Sequence, residues 1–340
     1  MIVRSKAPLR IGLAGGGTDV SPYSDNYGGA ILNATVCLYA YATIQPRDDG
    51  KIIFHAADKE EVVEVNSTNE LKIDGKLDLL KGVYNRVVKQ FSKKPLSFEL
   101  TTYVDAPAGS GLGTSSTLVV AILGAFVEWL KLPLGEYDIA NLAYEIERSD
   151  LKMAGGRQDQ YAATFGGFNF MEFFKDEKVI VNPLRIPLHH CTELENNLLL
   201  YYTATSRLSS EIIEKQSKNI RNNDQKSIDA THKVKEQAIK MKEALLRGEL
   251  DVFGEILDFG WQHKKNMADG ITNPEIDKVY ETALNAGASG GKISGAGGGG
   301  FMLIYCPEVS RYKVVKSLEQ FEGRVRRYFF TRSGLTTWSI

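Results

Sequence analysis

The spacing of apolar positions changes along the chain. Up to about residue 104 the apolar stretches are short, β-rich and broken by glycine turns. A strand-like run from Met1 to Leu13 meets Ala14-Gly15-Gly16-Gly17-Thr18-Asp19, and further strands are expected at Ala30 to Ile44, Lys51 to His55, Val62 to Val65 and Leu96 to Val104. Helix-period apolar residues predict a helix from Leu79 to Phe91, and Thr114 to Leu130 predicts a second that opens on hydroxyl residues suited to a helix start. A third runs from Glu136 to about Ser149, with Ile139, Leu142, Ala143 and Ile146 on one face. After a strand at Leu198 to Thr203, the stretch from Ser209 to about Ala268 is charged, helical and poor in glycine. Mixed helix and strand return beyond Glu275, with a last strand expected from Val325 to Phe330. This change of texture divides the chain into domains at 1–187 and 188–340.

Composition narrows the function. The 340 residues are 43% hydrophobic and 24% charged, as in ordinary globular proteins, and the formal net charge is −1. A nucleic-acid backbone finds no excess of cations, and no apolar run approaches the length that crosses a bilayer. Cys37, Cys191 and Cys306 are odd in number and widely spaced, which predicts free thiols in a reducing compartment. The run Met1 to Lys6 lacks the apolar core of a signal peptide. A cytoplasmic protein acting on small molecules, as a monomer or homodimer, is expected.

Three glycine-rich segments hold the candidate chemistry. The strongest, Asp105 to Thr117, contains Pro107-Ala108-Gly109-Ser110-Gly111-Leu112-Gly113-Thr114-Ser115-Ser116 and leads straight into an apolar helix. Glycines let the backbone approach a ligand closely, and the first helical turn aims its N–H groups and dipole at one place. That is an anion site suited to a triphosphate, and the hydroxyls of Thr114, Ser115 and Ser116 suit phosphate oxygens or Mg²⁺. A Walker loop is excluded because Gly50-Lys51, Gly75-Lys76 and Gly291-Lys292 are each followed by an aliphatic residue. A Rossmann fingerprint is excluded by the β-rich stretch after Gly17. Asp258-Phe259-Gly260 copies a protein-kinase triplet without the matching catalytic loop and is expected inside a helix. His189-His190-Cys191 reads as a surface turn, and Lys264-Lys265 and Arg326-Arg327 as solvated faces.

Lys6-Ala7-Pro8-Leu9-Arg10 through Gly15 and Thr18-Asp19, then Pro107 to Ser116, then Lys292 to Gly297, resemble the three signature motifs of the GHMP kinases in order and spacing. Within that superfamily, Gly15 to Asp19, Gly155 to Ala163 and Phe165 to Asn169 look most like the kinases of D-glycero-D-manno-heptose 7-phosphate. The resemblance implies an α+β fold of two domains, the N-terminal one ribosomal protein S5 domain 2-like and the C-terminal one ferredoxin-like, with the active site between them. It implies ATP and Mg²⁺ as cofactors and phosphorylation of an anomeric hydroxyl.

The resemblance also implies roles. Asp159 takes the place of the catalytic aspartate, and Arg10 that of its basic neighbour. Glu147 matches the acidic Mg²⁺ ligand, and Thr114 or Ser115 the hydroxyl ligand. Asp19 matches the carboxylate that grips sugar hydroxyls. Galactokinases carry Glu-His where Gly16 and Gly17 stand, which argues against galactose and for a bulkier sugar. Gly16, Gly17, Thr18, Asp19, Gly156, Arg157, Arg207 and Gly297 are the expected substrate contacts, with Arg157 and Lys152 as candidate cations for a distal phosphate. A carboxylate at Asp159 is suited to accept the proton of an attacking hydroxyl while a nearby cation stabilises developing negative charge. Fucose or N-acetylhexosamine 1-kinases, and a non-catalytic sensor of sugar and ATP, are the alternative readings.

Overall fold

The computed structural model describes residues 1–205 and 209–340, with side chains for all of these except residue 209. The chain opens with Val3–Ala14 (β1), Tyr23–Tyr27 (α1), Gly29–Pro46 (β2), Lys51–Ala56 (β3) and Glu61–Asn66 (β4). Helix Asp78–Val87 (α2) follows, then strand Phe98–Val104 (β5) and helices Thr114–Leu130 (α3), Glu136–Glu145 (α4) and Gln158–Phe165 (α5). Single π-helical turns extend α2 through Val88–Ser92 and α4 through Ile146–Asp150. Strands Phe168–Phe173 (β6) and Val179–Pro183 (β7) form a hairpin before Leu188–Asn197 (α6) and Leu198–Tyr202 (β8). Three helices come next, Ser209–Arg221 (α7), Gln225–Arg247 (α8) and Phe253–Lys264 (α9), then Pro274–Asn285 (α10). The chain ends in Gly290–Ile293 (β9), Phe301–Tyr305 (β10), Arg311–Leu318 (α11), Arg324–Arg326 (β11) and Thr336–Ser339 (β12).

Two sheets organise these elements in an α+β fold. The first has eight strands in the order β12-β1-β2-β5-β3-β4, with β6 and β7 branching from β2. Its pairings are antiparallel except β3 with β5. The second is a four-stranded antiparallel sheet, β11-β8-β10-β9. The first four residues of β1 alternate between buried and partly exposed, whereas every residue from Ala7 to Ala14 is buried. Strands lose alternation where both faces are covered. Here α3 and α5, and also α8 and α9 from later in the chain, pack on β1. The later helices therefore bring their side chains to the end of β1 where the glycine loop begins.

Helix α3 sets the position of the Asp105 to Thr117 loop. Every residue from Ser116 to Phe126 is buried, the expected fate of a helix that is apolar all round. It contacts β1, β2, β5, α2, α4, α5 and β12, so its first turn is held from many directions.

Some expectations are corrected. The last expected strand is only Arg324–Arg326, and the chain then returns as β12 to pair with β1. His189-His190-Cys191 lies in the first turn of α6 with Cys191 buried, because the apolar stripe of α6 includes Cys191 and Leu194. Replacing Ile122, fully buried in α3, by Ala should lower the unfolding free energy by about 2–5 kcal/mol in a denaturant titration. An unchanged midpoint would contradict the burial assigned to α3.

Candidate active site

A cavity of about 490 Å³ lies where the start of α3, the end of β1 and the Arg148–Asp159 segment meet α7, α9 and the Gly295-Ala296 turn. A larger hollow of about 610 Å³ beside Phe165, Pro183 and Arg332 contains none of this chemistry.

Gly109, Gly111 and Gly113 have φ of 74°, 79° and 77°, the left-handed region that favours glycine. Gly111 is also pressed against the third glycine segment, since a Cβ there would sit 2.4 Å from the Ser294 carbonyl oxygen. Gly113 caps α3 with no side-chain hydrogen bond, so the first helical N–H groups are left for an anion. Gly109, Gly111, Gly113, Thr114, Ser115 and Ser116 line the cavity. Pro107, Ser110 and Leu112, expected at the phosphates, do not. The Pro107 carbonyl accepts from Ser110 N, the Ser110 carbonyl from Phe301 N at 2.9 Å, and the Leu112 carbonyl from Arg10 N at 3.1 Å. Ser110 and Leu112 thus face the protein and anchor the loop, and Pro107 is exposed outside the cavity.

Asp159 stands in the first turn of α5, across from that loop. Arg10 grips one of its oxygens, with Nε and Nη2 each 2.7 Å from Oδ1, and donates through Nη1 to the Gly111 carbonyl at 2.6 Å. The Arg10 side chain is 4% exposed and that of Asp159 is 22% exposed, so the cation is enclosed while the carboxylate meets the cavity. A register shift between Pro8 and Arg10 breaks the β1–β2 ladder where the arginine leaves the strand.

Asp19 is buried, and its Oδ2 accepts from Arg157 N at 2.8 Å and Gln158 N at 3.0 Å, capping α5. Burial pushes its carboxyl above the usual carboxylate range, the Gln158 N–H opposes this, and Asp159 adds a smaller upward push. Gly156 permits the contact, because a Cβ there would lie 1.9 Å from Asp19 Oδ2.

Other expected substrate contacts are corrected. The Arg157 side chain turns away, donating through Nη1 to the Phe174 carbonyl at 3.2 Å, with Nη2 3.6 Å from Asp25 Oδ1. The Thr18 hydroxyl is spent on the Gly15 and Ala30 carbonyls at 2.8 and 2.9 Å and on the Ala30 N–H. Gly297 packs on Ile271, and its neighbours Gly295 and Ala296 line the cavity instead. Gly17 lines the cavity and Gly16 does not; a Cβ on Gly16 would stand 3.4 Å from Lys264 Nζ and 3.9 Å from Lys292 Nζ. Arg207 lies outside the described residues.

Glu147, 1% exposed, sits on the π-helical turn after α4 and lines the same cavity. Gln160 Nε2 donates both to Glu147 Oε2 and to Ser116 Oγ, the latter at 3.1 Å. Burial raises the Glu147 carboxyl, against which the Arg148 charge and the Ser116 hydroxyl act. A buried carboxylate beside a hydroxyl at an anion site is a hard-oxygen donor set that fits Mg²⁺. Ser116 is linked to Glu147 through Gln160, and Thr114 and Ser115, the expected hydroxyl ligands, line the same cavity.

Several cavity groups escaped the sequence reading. Arg148 lines the cavity, with Nη1 3.7 Å from Glu147 Oε1. Gln158 and Gln216 also line it. Lys264, expected on a solvated face, is 2% exposed and forms part of the wall. Its place was readable: Phe253, Leu257, Trp261 and Lys264 share one helical stripe, which buries the last as it buries the others.

An uncapped helix start, a hydroxyl cluster, a buried acid and an arginine-held aspartate around one cavity define a phosphotransferase site. The chain belongs to the GHMP kinases, which use ATP. The GHMP kinases N terminal domain matches residues 78–167, and the GHMP kinases C terminal domain matches residues 241–323. The chain is 51% identical over 338 residues to D-glycero-alpha-D-manno-heptose 7-phosphate kinase of Campylobacter jejuni, with 99% of each covered. A structure described as a D-glycero-D-manno-heptose 1-phosphate kinase from Bacteroides thetaiotaomicron is 47% identical, with a TM-score of 0.85 over 99% of both chains. Galactokinase of Lactococcus lactis in complex with galactose, at 20% identity, shares the fold with a TM-score of 0.77 over 98% of this chain and 95% of its own.

Gly156→Ala tests the site's frame. The methyl group must displace Asp19 and uncap α5, so the thermal midpoint should fall by the equivalent of about 1–3 kcal/mol, with turnover falling as Asp159 shifts. A variant with wild-type melting and turnover would show that the Asp19 cap does not hold the site.

Proposed function

We propose that the protein transfers the γ-phosphoryl group of ATP to the anomeric hydroxyl of D-glycero-D-manno-heptose 7-phosphate, giving the 1,7-bisphosphate for the synthesis of activated heptose. The observation that carries the choice of acceptor is the 51% identity, over 99% of both chains, with a kinase named for that sugar phosphate. The reading gains support from the cavity, whose acceptor side combines the carboxylates of Asp19 and Asp159 with amide side chains.

In this mechanism the loop Gly109 to Gly113 and the first turn of α3 bind the triphosphate. Asp159 accepts the proton of the attacking O1 hydroxyl, and Arg10 holds the carboxylate in place and faces the charge that develops. Glu147 and Ser116 would hold Mg²⁺, which when bound neutralises charge on the transferring phosphates. Most of the rate comes from positioning and charge neutralisation.

The distal phosphate falls to Lys152 and Arg148, both on the cavity wall, since the Arg157 guanidinium is engaged elsewhere. A domain boundary near residue 188, a cytoplasmic location and a monomeric or homodimeric state complete the proposal. Free Cys37, Cys191 and Cys306 suit a reducing compartment.

A coupled ADP-release screen over phosphorylated and free sugars tests the acceptor, with phosphorus NMR locating the new phosphate. Equal kcat/KM for heptose and heptose 7-phosphate would remove the distal-phosphate site. Exclusive turnover of fucose or an N-acetylhexosamine would replace the acceptor. Lys152→Met should erode the preference for the phosphorylated sugar, and Arg157→Met should not. Asp159→Asn should bind ATP normally and lose roughly 10²-fold or more in kcat, and near-normal turnover would take Asp159 out of the mechanism. Glu147→Gln should shift the Mg²⁺ titration to higher concentration more than it shifts the sugar KM, and an unmoved titration would make Glu147 structural.

A further inference from the structure

The two helices that reach the cavity from the later part of the chain each carry a polar residue where an apolar one is expected. On α7, Ile212, Gln216 and Ile220 share a buried stripe. On α9, Phe253, Leu257, Trp261 and Lys264 do the same. Burying an amide or an ammonium among apolar neighbours is costly unless each finds a partner. Neither does so fully within the protein. Among the described residues, Gln216 Nε2 is buried with no hydrogen-bond partner and Lys264 has no carboxylate within ion-pair distance.

An ammonium has three N–H donors, and Lys264 donates to the Gly295 carbonyl. The ammonium forms no other hydrogen bond among the described residues. Its nitrogen stands over the glycine loop, 3.4 Å from where a Cβ on Gly16 would be, and the Gln216 amide oxygen is 3.4 Å from where one on Gly17 would be. Across the same loop Asp19 spends Oδ2 on α5 and keeps Oδ1. Asp19, Gln216 and Lys264 all line the cavity that holds Asp159. A carboxylate oxygen and an ammonium flanking two glycines are complementary to neighbouring hydroxyls, one donating and the other accepting.

We propose that Lys264, assisted by Gln216, contacts the acceptor and determines specificity, pairing with Asp19 to bracket two adjacent sugar oxygens beside the phosphorylated position. The proposal rests on the sugar-kinase reading above and names the part of that site contributed by α7 and α9. Glycine at 16 and 17 accordingly provides approach for these two side chains, rather than only empty room for a larger sugar.

The charge surroundings give a second readout. Arg10 from β1, Lys292 from β9 and Asp19 from the facing loop are the charged groups that act on Lys264, and Asp159 of α5 and Glu214 of α7 line the same cavity. Burial, then the positive charge of Arg10, brings the Lys264 ammonium down to about 8, with Asp19 opposing. Protonated Lys264 is the binding form, so acceptor kcat/KM should decline as pH rises through that value.

The test compares wild type, Lys264→Met, Lys264→Arg and Gln216→Leu, using the natural acceptor and a series of monodeoxy analogues. Lys264→Met should raise the acceptor KM about 10-fold to 100-fold, the range for a lost charged hydrogen bond, and leave the ATP KM unchanged. One deoxy analogue that penalises wild type should carry no extra penalty in Lys264→Met, and the alkaline decline should vanish in that variant. Removal of an unpaired buried charge should not lower the melting temperature, and Lys264→Arg should restore part of the affinity. Equal penalties for every deoxy analogue in both enzymes, or an unchanged acceptor KM with a lowered melting temperature, would reduce Lys264 to a structural role. Should Lys264→Met fail to fold, the deoxy series on Gln216→Leu decides in the same way. If wild type ignores heptose 7-phosphate but turns over another sugar, the acceptor assignment falls and the same comparison on that sugar judges Lys264.

Discussion

At the start of α5, the N–H groups of Arg157 and Gln158 are buried, and a single carboxylate oxygen of Asp19 accepts both. Two backbone donors left unmade there would cost more than the bonds contribute when formed. The loop after β1 is thereby locked to the helix that carries Asp159. Arg10 closes the same circuit from inside β1, joining Asp159 to the Gly111 carbonyl. The acceptor loop, the base and the phosphate loop thus have their relative positions set by a few charge-assisted hydrogen bonds out of bulk water, where such bonds are strong. Removing water from so many charges also explains the shifted acids and lysines around the cavity.

Features encoded by contiguous residues were legible in the sequence. Helix α3 begins and ends where its hydroxyl start and apolar run predict, and the glycine loop before it forms the anion site. Asp159, Arg10, Glu147 and Asp19 meet in one cavity. What could not be read was direction. Arg157 and Asp159 stand two positions apart at one helix start, yet only the aspartate side chain reaches the cavity. Ser110 and Leu112 belong to the phosphate loop by sequence and face the protein by geometry, and Pro107 is exposed outside the cavity. Thr18 has a hydroxyl in the right segment, already satisfied by Gly15 and Ala30. Lys264 and Gln216 fall in a charged helical stretch whose composition suggests a wet surface, and only their phase within the apolar stripe shows otherwise.

The return of the chain to its first sheet fastens the two sheets to one another. The backbone passes between the two sheets twice, once from β7 to β8 and once from β11 to β12. These passages run side by side, since Arg332 Nη2 on the second donates to the Ile186 carbonyl on the first at 3.4 Å. Two covalent straps, joined by this hydrogen bond, hold the two sheets together along one side. Hydrogen bonds close a second seam at the phosphate loop, where Ser294 Oγ donates to the Gly111 carbonyl and Phe301 N to the Ser110 carbonyl, each at 2.9 Å. The two sheets are thus fastened by two kinds of seam, one covalent and one of hydrogen bonds, and the second runs through the phosphate loop itself.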